Sequence, residues 1–245
     1  MKSIINFINE VHRKEDNSKG ITEEDKKSYI NYSHKYFEYL NNNDKLSNAI
    51  QKTFKYINDN VLKIMNDNHI SNFIDKKIIP RIIEYYLANK MSNINKFRFR
   101  QSEENSKNKD IYCTKINNKI LKEDIFKDIK DIKDINNLLD FFSIELKCTS
   151  NSSSITGNRS YAVDKPTNQK KNKRSFYILI TYDYFSNKNN ENNKNVTIEL
   201  RNAYFGYIVQ DDWIYGNGGN SSRLRIKDLF HSNDNEKNNR IIQII

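Results

Sequence analysis

Proline is almost absent from this chain, at 2 residues in 245, and glycine is nearly as scarce at 6. That scarcity excludes collagen-like and Pro/Gly-rich low-complexity architectures, and it leaves few points where a helix or strand is forced to break. Cysteine is limited to Cys113 and Cys148, too few for a disulfide scaffold and in keeping with a reducing compartment. Both sit in β-like runs and read as small buried hydrophobes. The 4 histidines, at 12, 34, 69 and 231, have no Cys or His partner at ligand spacing, so neither a zinc centre nor a Ser/His or Cys/His nucleophile pair is indicated. No window is long and apolar enough to span a bilayer, and Met1-Lys2-Ser3-Ile4-Ile5 runs into polar residues instead of a signal-peptide core. The expectation is a soluble, cytoplasmic product with no membrane association.

Charge and aromatic bulk are what the chain has in quantity. Lys and Arg total 41 against 31 Asp and Glu, for a formal charge of +10 and a pI near 9.3. Such an excess suits a polyanionic partner, and with no membrane segment nucleic acid is favoured over lipid. Solubility through net charge is the competing explanation. Only 36% of residues are hydrophobic and mean hydropathy is −0.88, yet 15 Tyr and 13 Phe supply core volume. A chain of 245 residues suits one large domain, or one domain with a helical extension.

The first third reads as helical. Ile4, Ile5, Phe7, Ile8 and Val11 fall at helical spacing, and Thr22-Glu23-Glu24-Asp25 offers an N-cap with acids in the first turn of a second helix. The stripe Tyr29, Tyr32, Tyr36, Phe37 and Leu40 reads as core packing rather than a base-stacking platform. Asn41-Asn42-Asn43-Asp44 caps a third helix, and a fourth spans 70–90 with Pro80 inside it, so that it is either continuous or in two pieces. Glu84 in its apolar second half faces solvent, pairs with Arg81 at i−3, or points toward a cation site.

From residue 95 the period changes to two. Lys96-Phe97-Arg98-Phe99-Arg100 reads as a short strand with cations on one face, suited to a phosphate strand. Asp110-Ile111-Tyr112-Cys113-Thr114 is the next strand, and residues 117–140 return to helical spacing with solvated Lys and Asp. Phe141 through Ser150 then alternates again, with Phe142, Ile144, Leu146 and Cys148 on one face and Ser143, Glu145, Lys147 and Thr149 on the other. An acid and a base two residues apart on an otherwise apolar strand are costly to dehydrate, so Glu145 and Lys147 belong at a strand end or cleft where a cation or water offsets the cost. A solvated edge-strand pair is the alternative. Residues 175–185 read as a buried central strand, and 196–208 as another, bulged near Asn202. The apolar ending Ile241-Ile242-Gln243-Ile244-Ile245 docks either on the body or on a second subunit.

Asp110, then Glu145-Leu146-Lys147 in a strand, behind a helix carrying Glu84, resembles the PD-(D/E)xK nuclease superfamily. Thr149-Ser150, Gly157-Asn158-Arg159-Ser160-Tyr161-Ala162, the Lys-rich approach to Phe176-Tyr177-Ile178-Leu179 and the later Asp212-Trp213 look like type II restriction endonucleases of the ScaI-like group. The resemblance covers residues 80–226. Lys109 stands where many members carry proline, and the separation of Asp110 from Glu145 requires 117–140 to be an insertion. If it is not, the first acid is Asp140, Glu103 or Glu104, with Asp140 least favoured because it reads as part of the same strand as Glu145.

The resemblance implies an α/β (α+β) fold, a central mixed β-sheet of the restriction-endonuclease-like type flanked by helices. Residues 1–93 would form an N-terminal helical region packed on the core, and 94–245 one continuous nuclease core. It implies a type II site-specific deoxyribonuclease, hydrolysing double-stranded DNA at a short sequence with Mg2+, or Mn2+ in its place. Asp110, Glu145 and the Leu146 carbonyl would hold the metal, Lys147 would position or activate water, and Glu84 would hold a second metal or remain structural. Base and phosphate contacts are expected from Arg98, Arg100, Asn151, Asn158, Arg159 and Ser160, and from Asn217, Asn220, Arg223 and Arg225. A homodimer reading a palindrome is expected, with the N-terminal helices as spare apolar surface, alongside a cognate methyltransferase that need not bind the enzyme. The alternatives are a repair or junction-resolving nuclease of the same core, and a non-catalytic sequence-specific DNA-binding protein.

Overall fold

The computed structural model describes residues 6, 8, 9, 23–68, 78–94, 97–101, 109–117, 121, 132–150, 154–158, 175–188, 194–208, 212–215, 221–226 and 241–245. Helix α1 (Glu23–Asn41) carries the aromatic stripe. Its Tyr32, Tyr36 and Leu40 are buried, and Tyr36 Oη donates to the Phe142 carbonyl at 2.6 Å. These three positions are therefore core, with Phe37 packed against that core, as the period predicts. A tight turn follows in which Asn43 and Asp44 take positive φ of 56° and 57°, a conformation that short polar side chains tolerate. The Asn41 side-chain oxygen then accepts the Ser47 N–H at 2.8 Å, which satisfies an amide at the start of α2 (Lys45–Tyr56).

Helix α2 continues through a π-helical turn, Ile57–Leu62, into α3 (Lys63–Asp67). This segment runs along a strand edge. Asn58 exchanges two hydrogen bonds with the backbone of Leu200, and Asn66 does the same with Ile198. Two side-chain amides thus stand in for a neighbouring strand and cover ladder groups that would otherwise be open to another chain. Helix α4 spans Ile78–Met91. Pro80 lies in its first turn, where a missing N–H costs no intrahelical bond, so the described helix is continuous across it.

The described strands form two sheets. Seven lie in the order β1-β2-β3-β4-β6-β7-β10: β1 (Asn93–Ile94), β2 (Phe97–Gln101), β3 (Ile111–Ile116), β4 (Ile144–Thr149), β6 (Ser175–Lys188), β7 (Lys194–Ile208) and β10 (Ile241–Gln243). The sheet is mixed, β4 and β6 being parallel while β3 and β4 are antiparallel. A smaller sheet has the order β5-β9-β8, from β5 (Ser154–Asn158), β8 (Trp213–Tyr215) and β9 (Ser221–Arg225). This is the expected α+β layout, a central mixed sheet flanked by helices with a helical region ahead of it.

Three local readings need correction or refinement. Phe141 closes helix α5 (Ile132–Phe141) and Phe142 lies in the turn after it, so neither begins the strand and Asp140 is helical. The cause is Ser143, whose Oγ donates to the Leu139 carbonyl at 2.7 Å and accepts the Cys113 N–H at 2.9 Å, ending the helix and tying the entry of β4 to β3. The bulge in β7 falls at Arg201, since Thr181 pairs with Asn202 and Tyr182 with Leu200. The C-terminal residues dock on the body, with Ile241 opposite Gly206 in β7 and the Ile244 N–H donating to the Ala203 carbonyl at 2.8 Å.

The two sheet faces have different cores. Ile144, Leu146, Phe176, Ile178 and Ile180 pack with the buried faces of α1, α2 and α4. Tyr177, Leu179 and Ile208 pack instead against Ile155, Trp213 and Leu224 of the small sheet. Helices α1 and α2 bury their main apolar faces inside the chain, and among the described residues of this region the exposed large apolar side chains are Tyr56, Ile64, Ile78 and Tyr85.

Candidate active site

Residues matched across a strand pair share a face. Glu145 is matched to Tyr177 and Lys147 to Leu179, so this acid and base lie on the face that the small sheet partly covers. On the other flank of β4, Ile111 is matched to Ile144; one further step of an antiparallel register sets Asp110 across from Glu145. The ladder stops there. In its place Asp110 Oδ2 accepts the Leu146 N–H at 2.9 Å. Because a residue in an extended strand presents its N–H and C=O to the same edge, the Leu146 carbonyl points to the edge where Asp110 sits.

Burial makes the corner chemically tense. Glu145 is 2% exposed and Asp110 8%. Lys147 Nζ donates to Glu145 Oε1 at 2.7 Å, while Glu145 Oε2 is buried and receives no hydrogen bond among the described residues. A buried carboxylate with one satisfied oxygen retains a large part of its dehydration cost.

Lys109 is also buried, at 4%. Its Nζ donates to the Asp140 main-chain carbonyl and to Asp140 Oδ2 at 3.2 Å. Asp140 is therefore the helix-end partner of Lys109 and not a strand neighbour of Glu145. Glu84 is buried in α4 and held by Arg81 at 3.3 Å and by Gln101 Nε2 at 3.2 Å, the i−3 pairing foreseen from the sequence. Gln101 is matched to Ile111, beside Asp110, so Glu84 reaches the same end of the sheet. The Cys148 thiol registers both acids. Burial drives its pKa up, Lys147 opposes this, and the Asp110 and Glu84 carboxylates add to the rise. Among the described residues no three His, Cys, Asp or Glu side chains gather closely enough to hold a metal by themselves. The donor set at this corner is two carboxylates and a peptide carbonyl, with Glu84 standing apart.

The same sheet face continues outward over β3 and β2. Arg98 and Arg100 are exposed while Phe97 and Phe99 are buried on the opposite face. Arg100 is matched to Tyr112 and Arg98 to Lys115, and the Arg100 guanidinium lies over the Tyr112 ring at 5.8 Å. On β9, Arg223 and Arg225 are exposed while Ser222 and Leu224 are buried. Asn158 ends β5. The other expected contact residues, Asn151, Arg159, Ser160, Asn217 and Asn220, lie outside the described residues, as do Glu103 and Glu104. Lys109, Tyr112 and Lys115 were not singled out from the sequence. Lys109 had a signal in being the departure from the family pattern, whereas the pairing of Lys115 with Arg98 depends on a bulge at Thr114 that no local pattern marks.

The family described as ScaI restriction endonuclease matches residues 42–244. The type II restriction enzyme ScaI of Streptomyces caespitosus is 29% identical over 73 residues, 30% of this chain and 30% of that protein. The alignment thus spans less than a third of that relative's length. No solved structure matches. With most of its length matched by one family, on a restriction-endonuclease-like α+β fold, the chain belongs to the ScaI restriction endonuclease family.

Proposed function

We propose that this protein is a type II restriction endonuclease that hydrolyses double-stranded DNA at a short specific sequence and requires Mg2+, with Mn2+ able to substitute. The observation that carries the reading is the corner where Asp110 and Glu145 meet across two strands with Lys147 on Glu145 Oε1, opening onto a face that carries Arg98 and Arg100. Mg2+ ordinarily binds through one or two carboxylates and completes its shell with water and phosphate oxygens. Two acids and the Leu146 carbonyl fit that habit, whereas the Cys and His ligands typical of zinc are not gathered at this corner among the described residues. The ion would supply neutralisation of the charge that develops on the scissile phosphate.

The residues of the chain do the rest. Asp110 and Glu145 stay fixed through the Leu146 amide and the Lys147 ammonium. Lys147, more open than its partner at 22% against 2%, directs its remaining N–H groups at the attacking water and a phosphate oxygen. Water adds in line to phosphorus, the bond to the 3′ oxygen breaks, and the products carry a 5′-phosphate and a 3′-hydroxyl. Glu84 acts from behind by holding Gln101 beside Asp110. Readout of bases falls to residues 149–174 and 215–225, with Arg159, Arg223 and Arg225 suited to guanine and Asn151, Asn158, Ser160, Asn217 and Asn220 to adenine or phosphate. A two-fold homodimer matches a palindromic target, and a cognate methyltransferase would protect the host's DNA in the same cytoplasm.

The test is incubation of the purified protein with long unmethylated DNA, with and without Mg2+, followed by sequencing of new ends. Discrete Mg2+-dependent fragments sharing one short motif support the proposal. Nicking confined to branched structures would move the reading to a junction nuclease, and tight salt-sensitive binding without strand breaks on DNA of several compositions would move it to a binding protein.

A further inference from the structure

Arg98 and Lys115 are directly opposite on the outer face of β2 and β3, and both are exposed. Like charges placed across a strand pair are destabilising. Among the described residues no carboxylate pairs with either of them, nor with Arg100 two residues along. The register continues from Arg98/Lys115 through Arg100/Tyr112 to Asp110, so the cations stand on the carboxylate face at successive distances from the candidate catalytic corner. The other face of β2 is occupied by Phe97 and Phe99 in the core, which holds the ribbon and its charges in place.

From this we infer that the β2–β3 ribbon is a phosphate clamp: Arg100, then Arg98 with Lys115, seat successive backbone phosphates of the DNA strand leading away from the cut. The inference rests on the reading of the chain as a DNA endonuclease and adds to it the order of these cations outward from the candidate corner, with Lys115 as a new contact. Residues two apart on a strand lie about 6.8 Å apart, which equals two axial steps of about 3.4 Å along one DNA strand, so long basic side chains at this spacing reach phosphates one or two nucleotides apart. The phosphates, one at each cation, neutralise the like-charge pair. Tyr112 holds the Arg100 guanidinium over its ring, limiting the freedom lost when a phosphate binds. Contacts of this kind fix position on the duplex and carry no sequence information; the clamp supplies affinity while other loops supply specificity.

The experiment is a titration of a short mixed-sequence duplex at a series of KCl concentrations in EDTA, so that no cleavage occurs, comparing the wild-type chain with R98Q/K115Q. Each lost phosphate contact lowers the steepness of log K against log salt by about 0.9, so the double variant should bind more weakly and with a slope shallower by about 1.8, equally on cognate and non-cognate duplexes. Its melting temperature should equal or exceed that of the wild type, since a repulsive pair is gone. A folded R98Q/K115Q with unaltered slope and affinity overturns the clamp, and so does a loss confined to the cognate sequence. If the double variant does not fold, R98Q alone carries the test with an expected change of about 0.9. A wild-type chain that binds no duplex overturns the endonuclease reading itself, whereas one that binds and cuts while the variant's slope stays unchanged overturns the clamp alone.

Discussion

Lys109 Nζ is buried against the end of helix α5, donating at once to the main-chain carbonyl and to a carboxylate oxygen of Asp140. The residue after Lys109 is Asp110, whose own carboxylate accepts the Leu146 N–H. The entry of β3 is thus fastened on one side to a helix C-terminus and on the other to β4, and Asp110 lies between the two fastenings. Lys109 thus acts as a side-chain tether at the entry of β3.

Removing the tether should loosen Asp110 as well as the fold. Lys109→Met keeps the stem but leaves the Asp140 carbonyl without its charged donor, so urea unfolding should report a loss of about 1–3 kcal/mol. Cleavage should fall further than stability alone explains, and more Mg2+ should be needed for half-maximal rate. A variant with wild-type Mg2+ dependence would show that Lys109 serves the fold only.

Metal binding can be read without activity. If Asp110 and Glu145 hold Mg2+ in the folded state alone, the ion stabilises that state by about 2.7 kcal/mol at a hundredfold excess over its dissociation constant, and thermal melting should shift upward with Mg2+. Asp110→Asn and Glu145→Gln should melt cooperatively and show no such shift. An equal shift in all three proteins would place the ion elsewhere.

Tyr36 joins the N-terminal helices to the strand that carries Glu145 and Lys147. Its ring lies 4.5 Å from those of Phe142 and Phe176, and its hydroxyl donates to the Phe142 carbonyl just ahead of β4. Tyr36→Phe keeps the packing and strands that buried carbonyl, at a cost of about 1–3 kcal/mol. Tyr36→Ala adds a cavity and should cost about 3–5 kcal/mol. Denaturant midpoints at constant slope test both values.

Alkaline stability follows from buried neutral acids. Burial raises the Cys113 thiol to about 12 from an ordinary value of 9.0, so the folded state keeps a proton that the unfolded state gives up. Its contribution is complete below pH 9 and is lost progressively as pH rises from there toward 12. Unfolding midpoints should decline across that window, and Cys113→Ala should flatten part of the decline after its cavity cost is subtracted. A parallel decline in the variant would assign the effect to other buried groups, among them Tyr36, which burial also raises.

Much of the fold was legible because its signals are local. The aromatic stripe of α1, the Asn41–Asp44 turn, the alternation in Phe97–Arg100 and the apolar run from Phe176 each fix a period or a break within a few residues. The acid–x–base triplet at Glu145 and Lys147 was legible for the same reason, and its meeting with Asp110 followed from the family resemblance. What escaped depends on pairing between distant segments. The end of α5 at Phe141 is decided by Ser143 bonding to Cys113, thirty residues away. The edge cover by Asn58 and Asn66 needs β7 beside it. The like-charge pair of Arg98 and Lys115 exists only because β3 carries an extra residue there. In an Asn-rich and Lys-rich chain, such residues look alike until the register is known.

The central claim is that Asp110, Glu145 and Lys147 form the hydrolytic site, and the most direct measurement is single-turnover cleavage by Asp110→Asn, Glu145→Gln and Lys147→Ala, each shown to fold and to bind duplex DNA. Each should lose at least about 100-fold in cleavage rate while binding the cognate duplex within a few-fold of the wild type. A folded Glu145→Gln or Lys147→Ala that cuts at the wild-type rate would contradict that claim.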